Sequence, residues 1–149
     1  MIKVDYPVYE FKIRKEEGIE KIFDNVRKKW LVLSPEEWVR QNILQYIMQV
    51  KHYPSPLIAV EKEIRLGELK KRCDIVIYSR TSLPWMIIEC KEMNSLIDRK
   101  VLDQVLRYNI TLPATYLILT NGSYCFGFER QFKTFIEINA FPEYPGDSF

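Results

Sequence analysis

Histidine is nearly absent: His52 is the single one in 149 residues. That excludes a histidine-based catalytic triad and argues against a histidine-ligated metal. Cysteine is scarce too. Cys73, Cys90 and Cys125 are odd in number and far apart, and two of them lie inside apolar runs. They read as reduced core thiols of a cytoplasmic protein, not as disulfides or a zinc site. Net charge is only +2, so no strongly acidic or basic character dictates a partner. Basic residues are local, in Arg27-Lys28-Lys29, Lys70-Lys71-Arg72 and Arg99-Lys100. Such clusters suit a phosphate backbone, although short basic runs are commonly solvated turns and strand ends. No apolar run approaches bilayer-spanning length, and Met1 to Glu10 is mixed polar, so neither a membrane span nor a signal peptide is expected. Repeats, low-complexity tracts and linkers are missing as well. With 47% hydrophobic and 13% aromatic residues, the expectation is one globular domain over residues 1–149.

Two short apolar runs that end in ionisable residues stand out. One is Cys73-Asp74-Ile75-Val76-Ile77-Tyr78 and the other Trp85-Met86-Ile87-Ile88-Glu89-Cys90-Lys91. Their branched and aromatic content marks both as buried strands. Side chains alternate along a strand, so Glu89 and Lys91 share a face and Cys90 takes the other. If the strands are neighbours, Asp74 joins Glu89 and Lys91. Two carboxylates beside a lysine suit a divalent cation such as Mg²⁺ or Mn²⁺, with the Cys90 backbone carbonyl as an extra ligand. That set is equipped for metal-assisted phosphodiester hydrolysis, with Lys91 placed to orient water or stabilise developing charge. The plainer readings are a solvated acid at a strand entry for Asp74 and a same-face ion pair for Glu89 and Lys91. The apolar run beside Asp74 weighs against them, because a carboxylate there must be ligated or paired.

Around these strands the chain reads as an ordered series. Residues 9–33 alternate aromatic and branched positions and suggest an N-terminal β-hairpin or small meander. Ser34-Pro35-Glu36-Glu37 opens a helix that runs to about Val50. Residues 57–64 and 71–78 form an antiparallel pair around Gly67, residues 85–91 form the next strand, and a helix over about 96–110 starts at Asn94 or Ser95. Residues 115–120 and 123–129 flank a hairpin at Asn121-Gly122, and another strand covers 133–138. The tail of about 141–149 reads as loose. This is an α/β fold with a mixed central sheet flanked by helices.

Helix geometry separates two adjacent glutamates. Val39, Ile43, Ile47 and Val50 define a buried stripe, with Glu36 at its head and Arg40 one turn on. Glu37 sits where a capping box with Ser34 needs its acid. Glu36 is therefore the better candidate for a further carboxylate at the metal site, although both acids also suit the helix dipole. Gln104 and Tyr108, four apart, share one face of the second helix with Val101 and Val105. Their plain reading is the polar boundary of an amphipathic helix.

The chain resembles the PD-(D/E)XK nuclease superfamily in its order helix–strand–strand–strand–helix–strand, with Asp74 followed by Glu89-x-Lys91. More narrowly it resembles the N-terminal nuclease domain of type I restriction enzyme R (HsdR) subunits. Five stretches carry the likeness: Ser34-Pro35-Glu36-Glu37-Trp38-Val39-Arg40-Gln41, Lys71-Arg72-Cys73-Asp74-Ile75-Val76, Ile88-Glu89-Cys90-Lys91, Gln104-x-x-x-Tyr108 and Leu119-Thr120-Asn121-Gly122. They cover roughly residues 30–130. The resemblance implies a restriction-endonuclease-like αβββαβ core over about 34–130. It also implies Mg²⁺-dependent (or Mn²⁺-dependent) cleavage of DNA, with RNA left open. Asp74, Glu89, Lys91 and Glu36 would be catalytic. Gln104 and Tyr108 match the Gln-x-x-x-Tyr motif of RecB-like nucleases near the active site and DNA, and Arg40 would serve beside them. Restriction or defence proteins, or a second copy of the chain, would be partners. The 149 residues include no motor domain of the kind found in R subunits, so specificity is expected from a partner, a dimer or DNA structure. The competing reading is a catalytically inactive nucleic-acid-binding or assembly module of the same fold.

Overall fold

The computed structural model describes residues 1–146. A three-stranded antiparallel meander comes first: β1 (Ile13–Glu16), β2 (Ile19–Asp24) and β3 (Lys29–Val32). Helix α1 (Pro35–Gln49) follows. The Ser34 hydroxyl accepts the Glu37 N–H at 3.0 Å, and Pro35 sits at the first helical position, where its missing N–H costs nothing. A six-stranded sheet then runs in order β4 (Ile58–Leu66), β5 (Leu69–Tyr78), β6 (Pro84–Cys90), β7 (Tyr116–Thr120), β8 (Cys125–Gln131) and β9 (Thr134–Ile138). Among the described residues only β6 and β7 pair in parallel, across helix α2 (Arg99–Asn109).

The two helices cover opposite faces of this sheet. Val39, Ile43 and Ile47 of α1 pack with Ile75, Ile77, Met86, Ile88 and Ile118. Val105 of α2 joins Cys73, Val76, Ile87, Leu117 and Leu119 on the other face. Met86, Ile87 and Ile88 alternate between the two layers, as strand geometry requires. A fully buried isoleucine contributes about 1.5–3 kcal/mol, and Ile75, Ile77, Ile88 and Ile118 are all fully buried. The expected mixed α/β fold with its αβββαβ order is present.

Three local expectations need correction. Helix α2 starts later, because Asp98 caps it by accepting the Val101 N–H at 2.9 Å. The tail is packed as far as Tyr144. Phe141 is buried against Tyr46, Tyr53 donates to the Pro142 carbonyl at 2.6 Å, and Tyr144 donates to the Tyr78 carbonyl at 2.8 Å. Residues 147–149 of the expected loose tail lie outside the described residues. Val50 is an exposed C-cap rather than the end of the buried stripe.

Candidate active site

Strand β5 changes character at Asp74. Cys73 belongs to the layer under α2, whereas Ile75, two residues on, belongs to the layer under α1. Two positions apart in a regular strand share a face, so the chain turns over at Asp74. The neighbouring strand is distorted at the same level. The β4–β5 register runs through Val60↔Ile75 and Lys62↔Cys73 with the Glu61–Asp74 pair missing, and Glu61 has φ 52°. On the other side the β5–β6 ladder ends at Ile75↔Ile88. Beyond it the Asp74 carboxylate accepts the Cys90 N–H at 2.9 Å.

This irregularity lets Asp74 meet both layers. Its Oδ1 accepts from Arg40 of α1 at 2.9 Å, while the residue also lines a cavity of about 700 Å³ between the sheet and α2. Glu89, Lys91, Gln104 and Tyr108 line the same cavity. Val101 and Val105 line it as well, so the shared face of α2 inferred from spacing is turned toward the sheet. Three of the expected residues lie outside the lining. Cys90 packs its thiol in the apolar layer, where burial pushes its pKa well up. Arg40 is buried behind Asp74. Glu36 is half exposed, 3.5 Å from Arg40. Partial burial, reinforced by the Asp74 carboxylate, raises the Glu36 pKa above the usual carboxylate value, while Arg40 and Lys91 oppose the shift. Glu36 therefore stands near Asp74 and Lys91 without facing the cavity.

Glu37 does not act as a capping-box acid. Only 7% exposed, it accepts from Arg40 at 2.6 Å, Arg27 at 3.3 Å and Gln41 at 3.0 Å. The Ser34 N–H goes instead to the Val32 carbonyl at 3.0 Å. Burial lowers the Arg40 pKa, yet its bond to Asp74 and the charge of Glu37 outweigh that and hold the pKa above the usual arginine value.

Two contributors were missed in the sequence. Lys71 is 8% exposed, and its ammonium sits on Glu89 Oε1, on Asn109 Oδ1 at 2.9 Å and over the Tyr108 ring at 4.5 Å. Asn109 donates to the same Glu89 oxygen at 3.2 Å. Both bonds fall on Oε1, so the carboxylate is held in one orientation. Lys71 looks like part of a solvated Lys70-Lys71-Arg72 run. The available signal was its period-two spacing from buried Cys73.

The donor chemistry suits a hard, oxygen-seeking cation only in part. Among the described residues no three aspartate, glutamate, histidine or cysteine side chains converge on one point, so an all-protein cage is not formed. Mg²⁺ does not need one, since it is commonly held by one or two carboxylates with waters and substrate phosphates. Asp74 and Glu89 supply that number in one cavity.

Comparison with known proteins gives one family. The model described as "Type I restriction enzyme R protein N terminus (HSDR_N)" matches residues 35–142. The match runs from the first residue of α1 past the end of β9 and leaves the β1–β3 meander outside. Among curated proteins nothing matches the chain.

Proposed function

This chain belongs to the family of type I restriction enzyme R protein N termini, and from that premise we propose that it is a Mg²⁺- or Mn²⁺-dependent DNA endonuclease module. The observation that carries the reading is the meeting of Asp74, Glu89 and Lys91 in one cavity. Asp74 and Glu89 would hold the ion. The chemistry that an ion supplies there is polarisation of a phosphate and a more acidic bound water. Lys91 orients the attacking water or meets the charge that develops on the phosphate. Lys71 and Asn109 keep Glu89 pointed. Lys70 and Arg72 at the cavity rim, with Arg107 on α2, supply cations for the phosphate backbone. The reading carries with it restriction or defence proteins as partners and a cytoplasmic setting. Among the described residues no helix is long and apolar enough to cross a membrane.

One observation favours a second reading. Asp74 is already neutralised by Arg40 and Glu89 by Lys71, as expected of a domain that binds nucleic acid without cutting it. The two readings separate in one experiment. Supercoiled plasmid and a labelled RNA are incubated with the protein in Mg²⁺, Mn²⁺ or chelator, and melting temperature is followed under the same conditions. The nuclease reading expects nicked or linear DNA only with the divalent ion. It also expects a higher melting temperature, because an ion bound only by the folded state stabilises it. No cleavage together with no divalent-dependent shift would leave the binding module.

A further inference from the structure

The β1–β3 meander reaches the candidate site through a chain of charges. Asp24, at the end of β2, is fully buried and accepts the Val26 N–H at 2.8 Å and the Arg27 N–H at 2.9 Å. It also accepts from Arg27 Nε at 2.6 Å and Gln41 Nε2 at 3.0 Å. These bonds fix the turn and aim the Arg27 guanidinium at the main sheet. There it meets Glu37 of α1 at 3.3 Å and Glu61 of β4 at 3.2 Å. Arg40 shares both carboxylates, at 2.6 Å from Glu37 and 3.5 Å from Glu61, and is also the arginine that holds Asp74 at 2.9 Å.

Backbone strain marks both ends of this relay. Lys28, beside Arg27, has φ 57°, and Glu61, inside β4, has φ 52°. A left-handed non-glycine residue costs of order 1–3 kcal/mol and persists only where its surroundings over-determine it. At Glu61 the distortion coincides with the missing Glu61–Asp74 pair.

Resting on the nuclease reading, we infer that Arg27 is a positioning residue for Asp74, and that the β1–β3 meander is thereby part of the active-site assembly. Glu37 and Glu61 divide their charge between Arg27 and Arg40, with Arg72 also on Glu61 at 2.9 Å. Without Arg27, the charge of Glu37 falls to Arg40, with only the neutral Gln41 amide beside it, and Arg40 is drawn further toward Glu61. Asp74 then loses the partner that orients it. The contact originates outside the residues that match the family.

The test compares wild type, Arg27→Met and Arg27→Lys by two readouts that do not need cleavage. The first is hydrogen exchange of the Cys90 amide without metal, because that N–H is bound to the Asp74 carboxylate. The second is Mn²⁺ affinity by calorimetry. Arg27→Met should speed Cys90 exchange while the β7–β8 amides stay protected. It should also weaken Mn²⁺ binding about 10-fold, the low end of what losing a ligand's own partner does, because Arg27 reaches Asp74 only through Arg40. Arg27→Lys should fall between, because a lysine keeps the charge but cannot fork across two carboxylates. If Arg27→Met cannot be purified, Arg27→Lys is read by the same criteria. Wild-type Cys90 exchange and wild-type Mn²⁺ affinity, with only a lower melting temperature, would reduce Arg27 to a fold-stabilising residue and overturn the inference. If wild type itself binds no Mn²⁺, the nuclease reading fails, and Cys90 exchange alone still decides the positioning.

Discussion

Lys91→Ala is expected to remove divalent-dependent DNA cleavage while leaving the fold intact. Lys91 follows β6, and its structural bond is made by the backbone, with its N–H on the Thr120 carbonyl at 2.8 Å. Alanine keeps that bond. The side chain is half-buried and lines the cavity with Asp74 and Glu89. Removing a group that meets developing charge in an active site costs on the order of 10²–10³ in rate. The melting temperature should move by only a degree or two, roughly what a substitution outside the core produces. Residual cleavage at the wild-type rate would point to another site or another protein in the sample.

Arg40→Met should produce the largest loss of stability of any single change near the site. Arg40 is 5% exposed and is bonded to Glu37 and Asp74. A methionine of similar length fills space but leaves both carboxylates short of a cation. Removing one partner of a buried ion pair costs about 3–5 kcal/mol. For a domain of this size that is a fall in melting temperature of roughly 10 °C. Glu37→Ala should cost about 3 kcal/mol, the low end of the same range, because Arg40 keeps Asp74 and Glu61. Loss of a helix cap would cost only about 1 kcal/mol, so a thermal melt separates the two roles of Glu37. The nuclease reading adds a condition. Arg40 orients the Asp74 carboxylate that would hold the ion, so Mg²⁺ should raise the melting temperature less in Arg40→Met than in wild type. Equal shifts in the two proteins would argue that no ion reaches Asp74.

Much of the fold was legible because its signals are local. Ser34 and Pro35 mark the start of α1 to within a residue, and the branched runs ending at Tyr78 and Cys90 mark β5 and β6. Gly67, at φ 62°, takes the left-handed turn between β4 and β5 that favours glycine. The start of α2 was harder. Asn94, Ser95 and Asp98 all resemble caps, and only the bond from the Val101 N–H decides for Asp98. The Asn121-Gly122 hairpin was visible, but not its length. Asn121 Oδ1 accepts from both Ser123 and Tyr124 N–H groups, which delays β8 to Cys125.

The arrangement around the candidate site was less legible, because its partners are distant in sequence. Strand alternation was enough to group Asp74, Glu89 and Lys91. It could not show that β5 turns over at Asp74, since that depends on Glu61 of the neighbouring strand. Glu37 looked like a cap because only its local spacing was visible. The arginines that bury it come from the meander and from the next turn of α1. Lys71 was hidden in a basic triplet, and its destination depends on Asn109, thirty-eight positions away.

The central claim is that Asp74 and Glu89 serve one divalent ion. It is tested most directly by Mn²⁺ calorimetry on wild type, Asp74→Asn, Glu89→Gln and the double variant. A shared ion predicts one site in wild type, a large loss of affinity in each single variant, and little further loss in the double. Losses that simply add, or an affinity that neither substitution changes, would contradict it.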